Sequence, residues 1–239
     1  MLLDIHSHIL PAVDDGAENL NEALKILKMM QKQGITDVIA TPHFYPSEDN
    51  LEDFKVSVNL AFKKLREFSL QRDLPNIYLG CELLYFSGIS NSENLSQFCL
   101  NNSRFLLLEL ADVCINEALF KDIIQIRENF GITPIIAHVE RYCEIRKYRK
   151  LIRFICEQKI PVQINAGSVL MPSLDRVIKK LLESDIYYVL ASDAHSTELR
   201  PPHLAQALHY IATVYGETYR SRLISNSEKL YKEIISGGE

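Results

Sequence analysis

The sequence predicts an α/β barrel of the TIM type, and three observations carry that prediction. Apolar runs alternate with stretches of helical periodicity along almost the full length; the runs number about seven, close to the eight of the barrel template; and no Pro-, Gly- or Ser-rich linker breaks the alternation. At 239 residues, with 47% hydrophobic and 24% charged residues, the chain has the balance of a soluble globular protein, and a barrel of this length forms around one core. A single domain over residues 1–239 is expected.

The strand candidates in order are "LLDIH", "TDVIATPH", "IYLGCEL", "FLLLEL", "TPIIAHV", "PVQINAG" and "YYVLASDAH". The first two flank "NLNEALKILKMMQKQG", where Leu20, Ala23, Leu24, Leu27 and Met30 recur at helical spacing while Asn19 and Gly34 suit the caps. Further helices are expected at "NLEDFKVSVNLAFKKLREFSL", "NEALFKDIIQIRENFG", "RKYRKLIRFICEQ", "LDRVIKKLLES" and "HLAQALHYIATVYG", and the tail "EKLYKEIISGGE" reads as a last helix ending in glycines.

Composition excludes several classes. A net charge of -5 leaves no basic footprint for a phosphate backbone, so no nucleic acid partner is expected. Cys81, Cys99, Cys114, Cys143 and Cys156 are widely spaced without a CxxC pair, which argues against both a disulfide framework and a thiolate zinc site. No apolar run approaches the roughly 20 residues that span a bilayer. "MLLDI" leads straight into histidines with no basic region or cleavage site, so a cytoplasmic location is expected. Nothing in the sequence fixes an oligomeric state.

The polar residues fall at the ends of the apolar runs. His6 and His8 close the first run, His43 the second, Glu82 the third, Glu109 the fourth, His138 the fifth, and Asp193 with His195 the seventh; only the sixth supplies none. Residues two apart on an extended chain share a face, so His6 and His8 point the same way. In parallel barrels the carboxyl ends of the strands converge on one rim, where active sites sit. Burying several carboxylates together requires compensating cations, and imidazole with carboxylate and no thiolate suits Mn, Fe or Zn. A polynuclear metal site follows.

The fragments "DIHSHILPAVDDG", "ATPHF", "GCELLY", "LLLEL", "IIAHVERY" and "ASDAHSTELRPPH", in this order, resemble the polymerase-and-histidinol-phosphatase (PHP) superfamily, and within it the bacterial capsule-associated metal-dependent protein-tyrosine phosphatases. The resemblance runs nearly end to end. It implies a distorted seven-stranded (β/α)7 barrel with three divalent cations, usually Mn2+. Carried onto this chain, it implies His6, His8, Glu82 and Asp193 around the first ion with Glu82 bridging, Glu82, Glu109 and His138 around the second, and Asp15, His43, Glu109 and His195 around the third. Asp14 is the alternative to Asp15, since neighbouring side chains diverge. Arg141 and Arg200 match family arginines, and planar guanidinium suits bidentate contact with phosphate oxygens. Unlike some capsule phosphatases, "TPHFYPSEDN" carries no basic residue after His43.

The activity implied is hydrolysis of phosphotyrosine by metal-activated water, without a protein nucleophile, on a partner such as a bacterial tyrosine kinase controlling capsular or exopolysaccharide synthesis. A phenol of pKa about 10 leaves with little protonation help. Four rivals stand beside this reading. The same metals would serve a small-molecule phosphatase acting on a compound such as histidinol phosphate, or a non-enzymatic regulatory scaffold. An amidohydrolase is less well matched, because its usual bridging lysine is missing from "FLLLEL" and "TPIIAHV". "CEIRKYR" places five residues between Cys143 and Arg149, as in thiol-dependent tyrosine phosphatases, but without the glycines that let a backbone wrap phosphate. His203 and His209 fall on an amphipathic stretch, where a helix-face role outweighs coordination, with His203 nearer the rim.

Overall fold

The computed structural model describes residues 2–110, 115–143 and 149–236. Its elements are β1 (Leu3–Ser7), α1 (Leu20–Lys32), β2 (Asp37–Ala40), β3 (His43–Phe44), α2 (Leu51–Leu70), β4 (Asn76–Leu79), β5 (Glu82–Leu84), β6 (Phe105–Glu109), α3 (Glu117–Phe130), β7 (Thr133–Ile136), α4 (Glu140–Cys143), α5 (Arg149–Gln158), β8 (Val162–Asn165), α6 (Ala166–Val169), α7 (Asp175–Glu183), β9 (Tyr188–Ala191), α8 (Leu204–Tyr210) and α9 (Glu217–Tyr231). All pairings between these strands are parallel, in the orders β1-β2-β4 and β3-β5-β6-β7-β8-β9.

The expected second and third runs each appear as two short strands, broken at Thr41–Pro42 and Gly80–Cys81. Proline lacks the N–H that a ladder needs. Gly80 lies so close to its neighbours that a Cβ there would sit 2.7 Å from Leu100 Cδ2. Both runs kink at the same level, and backbone bonds from Gly80 N to Ala40 O (2.8 Å) and Glu82 N to Pro42 O (3.1 Å) carry the ladder across the break. A parallel bridge between Ser7 and Ala194, with bonds from His8 N to Ala194 O and Asp193 N to His6 O, joins β1 to the chain beyond β9.

Helices fill the expected positions, with local differences. Asn19, Asn50 and Asn116 cap α1, α2 and α3 by accepting from backbone N–H groups of the first turn. Between β5 and β6 the connection is three 3-10 turns, at Ile89–Asn91, Leu95–Phe98 and Leu100–Asn102. The Ser and Asn side chains in "SGISNSENLSQFCLNN" compete for backbone groups and disfavour a continuous helix. α8 runs on into a wider π-type turn, Ile211–Tyr215, that stops at Gly216 with φ 118. The last helix starts at Glu217, well before the "EKLYKEIISGGE" read from sequence; the terminal glycines lie outside the described residues.

Strand alternation divides the core into two layers. Val38, Ala40, Leu106, Leu108 and Ile136 face the helices, while Leu3, Ile5, Ile39, Phe105, Leu107, Ile135 and Val189 form a second cluster with Leu230 and Ile234 of the C-terminal helical segment. By register, Glu82 and His43 lie on the same face as Leu107, as do Glu109 two residues further along β6, and Gln163 and Asp193 on theirs. The inner face is thus apolar toward the amino ends of the strands and polar at their carboxyl ends. Leu107 is fully buried whereas Leu199 is 91% exposed. Leu107→Ala should lower unfolding free energy by about 2–5 kcal/mol in urea titration, and Leu199→Ala should stay within about 0.5 kcal/mol of the parent.

Candidate metal centre

A β-bulge aims the first two histidines. Asp4 pairs with Val38 and Ser7 with Ala40, so β1 holds one more residue than β2 over this span and its face alternation shifts. The fully buried Asp4 supports the bulge by accepting through Oδ1 from His6 N (3.3 Å) and Ser192 N (3.0 Å). His6 and His8 then lie side by side, with Nε2 atoms 3.1 Å apart.

The loop after β1 folds back onto it. Ala17 N donates to His8 O (2.9 Å), and a Cβ on Gly16 would fall 2.1 Å from that same oxygen, so no larger residue fits. The two aspartates diverge as expected. Asp14 Oδ2 accepts from His8 Nδ1 (2.8 Å) and from His43 N (3.2 Å), while Asp15 extends outward with Oδ1 3.5 Å from His43 Nε2 and 3.4 Å from His195 Nε2. Asp15 faces the ring nitrogens; Asp14 orients the rings.

Glu82 is the hub. It is 1% exposed, its Oε1 accepts from His138 Nε2 (2.9 Å), and its Oε2 lies 3.1 Å from His6 Nε2, 3.3 Å from His8 Nε2 and 3.0 Å from His43 Nδ1. Glu109 comes within 3.5 Å of His138 Nε2 and 4.0 Å of His43 Nδ1. Asp193 Oδ1 is 3.4 Å from both His6 and His8 Nε2, while its Oδ2 accepts from Arg141 Nη2 (3.0 Å) and Arg200 Nη2 (2.5 Å). His195 Nδ1 is 3.0 Å from the Asp193 carbonyl, which leaves Nε2 facing Asp15. His138 (φ 32) and Asp193 (φ 52) both adopt the left-handed backbone region, which is disfavoured for such residues and concentrates at functional sites.

The sixth run supplies the groups that sequence reasoning missed. Gln163 Oε1 accepts from His138 N (2.7 Å) and lies 3.0 Å from His6 Nδ1; Gln163 Nε2 donates to Asn165 Oδ1, and Asn165 Nδ2 donates to Asp193 Oδ2, both at 2.7 Å. The signal was present in "PVQINAG": two amides at strand spacing inside an otherwise apolar strand share one face and need buried partners.

Ligand-type atoms converge in three overlapping groups, each with its atoms within 4.8 Å of one another: His6, His8 and Asp193; His43, Glu82 and Glu109; and His8, Asp15, His43 and His195. In these groups His43 joins the two glutamates, which His138 also faces at 2.9 Å from Glu82 Oε1 and 3.5 Å from Glu109 Oε1, and His8 joins Asp15, His43 and His195. Glu82 Oε2, His43 Nδ1 and His195 Nε2 are buried without a hydrogen-bond partner even though other polar atoms of the cluster lie within about 3.5 Å. Atoms that close and yet misaligned for hydrogen bonds, with no thiolate among them, fit cations that imidazole and carboxylate hold. His203 stands apart from these groups at the start of α8, and His209 is exposed further along that helix. Cys143 ends the short α4 with its thiol donating to Val139 O at 3.3 Å, and most of the "CEIRKYR" loop lies outside the described residues.

The electrostatics follow from this packing. Burial pushes the carboxyls of Glu82 and Asp193 upward, but imidazolium charge, above all on His6, outweighs it and holds both well below the usual range. Burial opposes the charged form of His6 and His8 too, yet the surrounding carboxylates raise both. Burial, reinforced by charge on His8 and Arg200, lowers His195 to about 4. Burial and the neighbouring Glu82 raise Glu109.

Fold and site together define a barrel hydrolase built around a cluster of histidines and carboxylates at the carboxyl ends of parallel strands. The chain belongs to the family described as capsular polysaccharide synthesis, CpsB/CapC, whose model matches residues 2–232. It is 30% identical to the tyrosine-protein phosphatase CpsB of Streptococcus agalactiae serotype III (strain NEM316) over 97% of this chain and 98% of that protein. It is 29% identical to the tyrosine-protein phosphatase YwqE of Bacillus subtilis (strain 168), over 97% and 92%. Among solved structures it resembles one from the study of YwqE from Bacillus subtilis and CpsB from Streptococcus pneumoniae, described as unique metal-dependent tyrosine phosphatases, with TM-score 0.81, 25% identity, and coverage of 98% of this chain and 94% of that one.

Asp14 gives the cluster a measurable acid signature. Burial opposes its charge, but the hydrogen bond from His8 lowers its pKa from 3.8 to about 2, so its contribution is complete above the unfolded value and disappears as pH falls through the folded one. In metal-free protein, Asp14→Asn should cost about 2 kcal/mol at pH 6, with the difference from the parent shrinking as pH drops below 3.8, as followed by urea unfolding across pH.

Proposed function

We propose that this protein is a metal-dependent phosphoric monoester hydrolase acting on phosphotyrosine in proteins. The observation that carries the reading is Glu82 Oε2, a buried carboxylate oxygen within 3.3 Å of three imidazole nitrogens and hydrogen-bonded to none by geometry. Family membership and the two named relatives support the substrate class.

His6, His8, Asp15, His43, Glu82, Glu109, His138, Asp193 and His195 would hold the cations, which we take to be three divalent ions, manganese first and iron or zinc as alternatives. Such ions supply Lewis acidity that polarises phosphoryl oxygens and activates water near neutral pH. The chain's own groups do the rest. Asp14 and Gln163 fix the ring orientations of His8 and His6 through Nδ1, which leaves both Nε2 atoms facing the cluster. Arg141 and Arg200 are each anchored by one N–H on Asp193 Oδ2, and their remaining donors serve the phosphoryl oxygens. No protein nucleophile is used.

In this reading a single domain over residues 1–239 works in the cytoplasm on a bacterial tyrosine kinase whose phosphorylation governs capsule or exopolysaccharide synthesis. Among the described residues no helix is long and apolar enough to cross a membrane.

Metal-replete protein should hydrolyse p-nitrophenyl phosphate and a phosphotyrosine peptide far faster than histidinol phosphate. A chelator or His43→Ala should abolish turnover while circular dichroism shows the fold intact, and Cys143→Ser should leave the rate unchanged. Loss of activity in the Cys143 variant, or a preference for histidinol phosphate, would contradict the assignment.

A further inference from the structure

We propose that the cavity beside Asp193 seats the aromatic ring of the substrate, and that Met171 and Leu199 at its mouth set a preference for aryl over alkyl phosphates. This rests on the phosphatase reading above and assigns the part of the substrate that the metal cluster does not touch.

The cavity has a volume of about 390 Å³ and is lined by both charged and apolar side chains. Asp193 holds the guanidinium groups of Arg141 and Arg200 at its Oδ2. Leu170, Met171, Leu174 and Leu199 supply apolar lining to the same cavity, beside the polar Asn165, Ser168, Ser192 and His203. Met171 is 52% exposed and Leu199 is 91% exposed, so both present apolar surface to water. Each such residue alone is ordinary on a protein surface. Lining one cavity together with two guanidinium groups, they match a ligand with a dianionic head and a flat apolar body.

The walls are held in place by their own backbone bonds. His195 N and Ser196 N both donate to Arg200 O, and Ser196 Oγ accepts from Leu199 N (3.0 Å) and Arg200 N (3.1 Å), so the turn that carries Arg200 also fixes Leu199. Around Met171, Met171 N donates to Ser168 O and Leu174 N to Met171 O, which locks the turn between α6 and α7. A wall built on closed turns is organised before the ligand arrives, and that lowers the entropic cost of binding.

Charge fixes the direction of entry. A phosphoryl dianion is drawn to the guanidinium groups, next to the Asp193 oxygen that faces His6 and His8. The group esterified to it must then lie outward along the apolar wall. A phenyl ring removes the surface of Met171 and Leu199 from water, whereas a short polar alkyl group leaves them wet.

The test compares the full metal-replete chain with the Met171→Ala/Leu199→Ala double variant. It reads kcat/KM for phenyl phosphate and glycerol phosphate, and calorimetric binding of the non-hydrolysable phenylphosphonate and methylphosphonate. The variant-to-parent ratio should fall about tenfold for phenyl phosphate, mainly through KM, and stay near one for glycerol phosphate. Phenylphosphonate affinity should fall in parallel, and Met171→Leu, which keeps the apolar bulk, should behave like the parent. Equal effects on aryl and alkyl ligands, or none on either, would overturn the proposal. If no ester is turned over and yet the parent binds phenylphosphonate more tightly than methylphosphonate and the variant does not, the pocket stands and the enzymatic reading falls.

Discussion

Everything in the upper half of the barrel is arranged around one buried carboxylate. Glu82 places both oxygens among four imidazoles, out of contact with water, and a second carboxylate, Asp193, reaches two of the same rings. An ionised carboxylate in such surroundings is costly unless positive charge lies within a few ångströms. Imidazolium groups and the guanidinium pair at Asp193 supply part of that charge. The unpartnered Glu82 Oε2 and His43 Nδ1 mark where compensation by protons and hydrogen bonds is geometrically incomplete. That incompleteness is the physical reason for reading the cluster as a cation site rather than as a network of salt bridges.

The fold yields locally to this requirement. Regular alternation in β1 would direct a different set of side chains inward, and the bulge supported by Asp4 brings His6 and His8 round to the cluster. His138 and Asp193 lie in a backbone region that costs on the order of 1 kcal/mol or more per residue. The Gln163–Asn165 chain over-determines both, bonding the backbone of one and the side chain of the other. Paired breaks in the second and third runs put His43 directly beside Glu82 in register. These irregularities leave the apolar layer below untouched, where Leu107 and its neighbours close the barrel from beneath with the C-terminal segment.

Much of this was legible in the residues. Alternating apolar runs and helical periodicity located the strands because burial on both faces and amphipathic packing leave direct compositional traces. The strand-end positions of His6, Glu82, Glu109 and Asp193 pointed to a common rim because parallel strands share one direction. Other features leave no such trace. The breaks at Pro42 and Gly80 depend on how neighbouring strands approach each other. Asp14 and Asp15 look alike in sequence and separate only once Gly16 folds the loop against His8. Gln163 and Asn165 leave no ligand signature, because amides are not metal ligands in such a cluster, although two of them on one face of an apolar strand announce a buried polar network. The helix expected from the tail began too late because "ETYRSRLISNSEKLY" is largely polar, with few buried residues, Leu223 and Leu230 among them, to mark it.

The most direct test of this account is anomalous scattering from a crystal of the protein grown with manganese. Density should appear inside the cluster, with peaks about 2.0–2.3 Å from Glu82 Oε2 and from the Nε2 atoms of His6 and His8. A data set in which manganese is found only at surface carboxylates, with Glu82 hydrogen-bonded to its imidazoles and no peak among them, would contradict it.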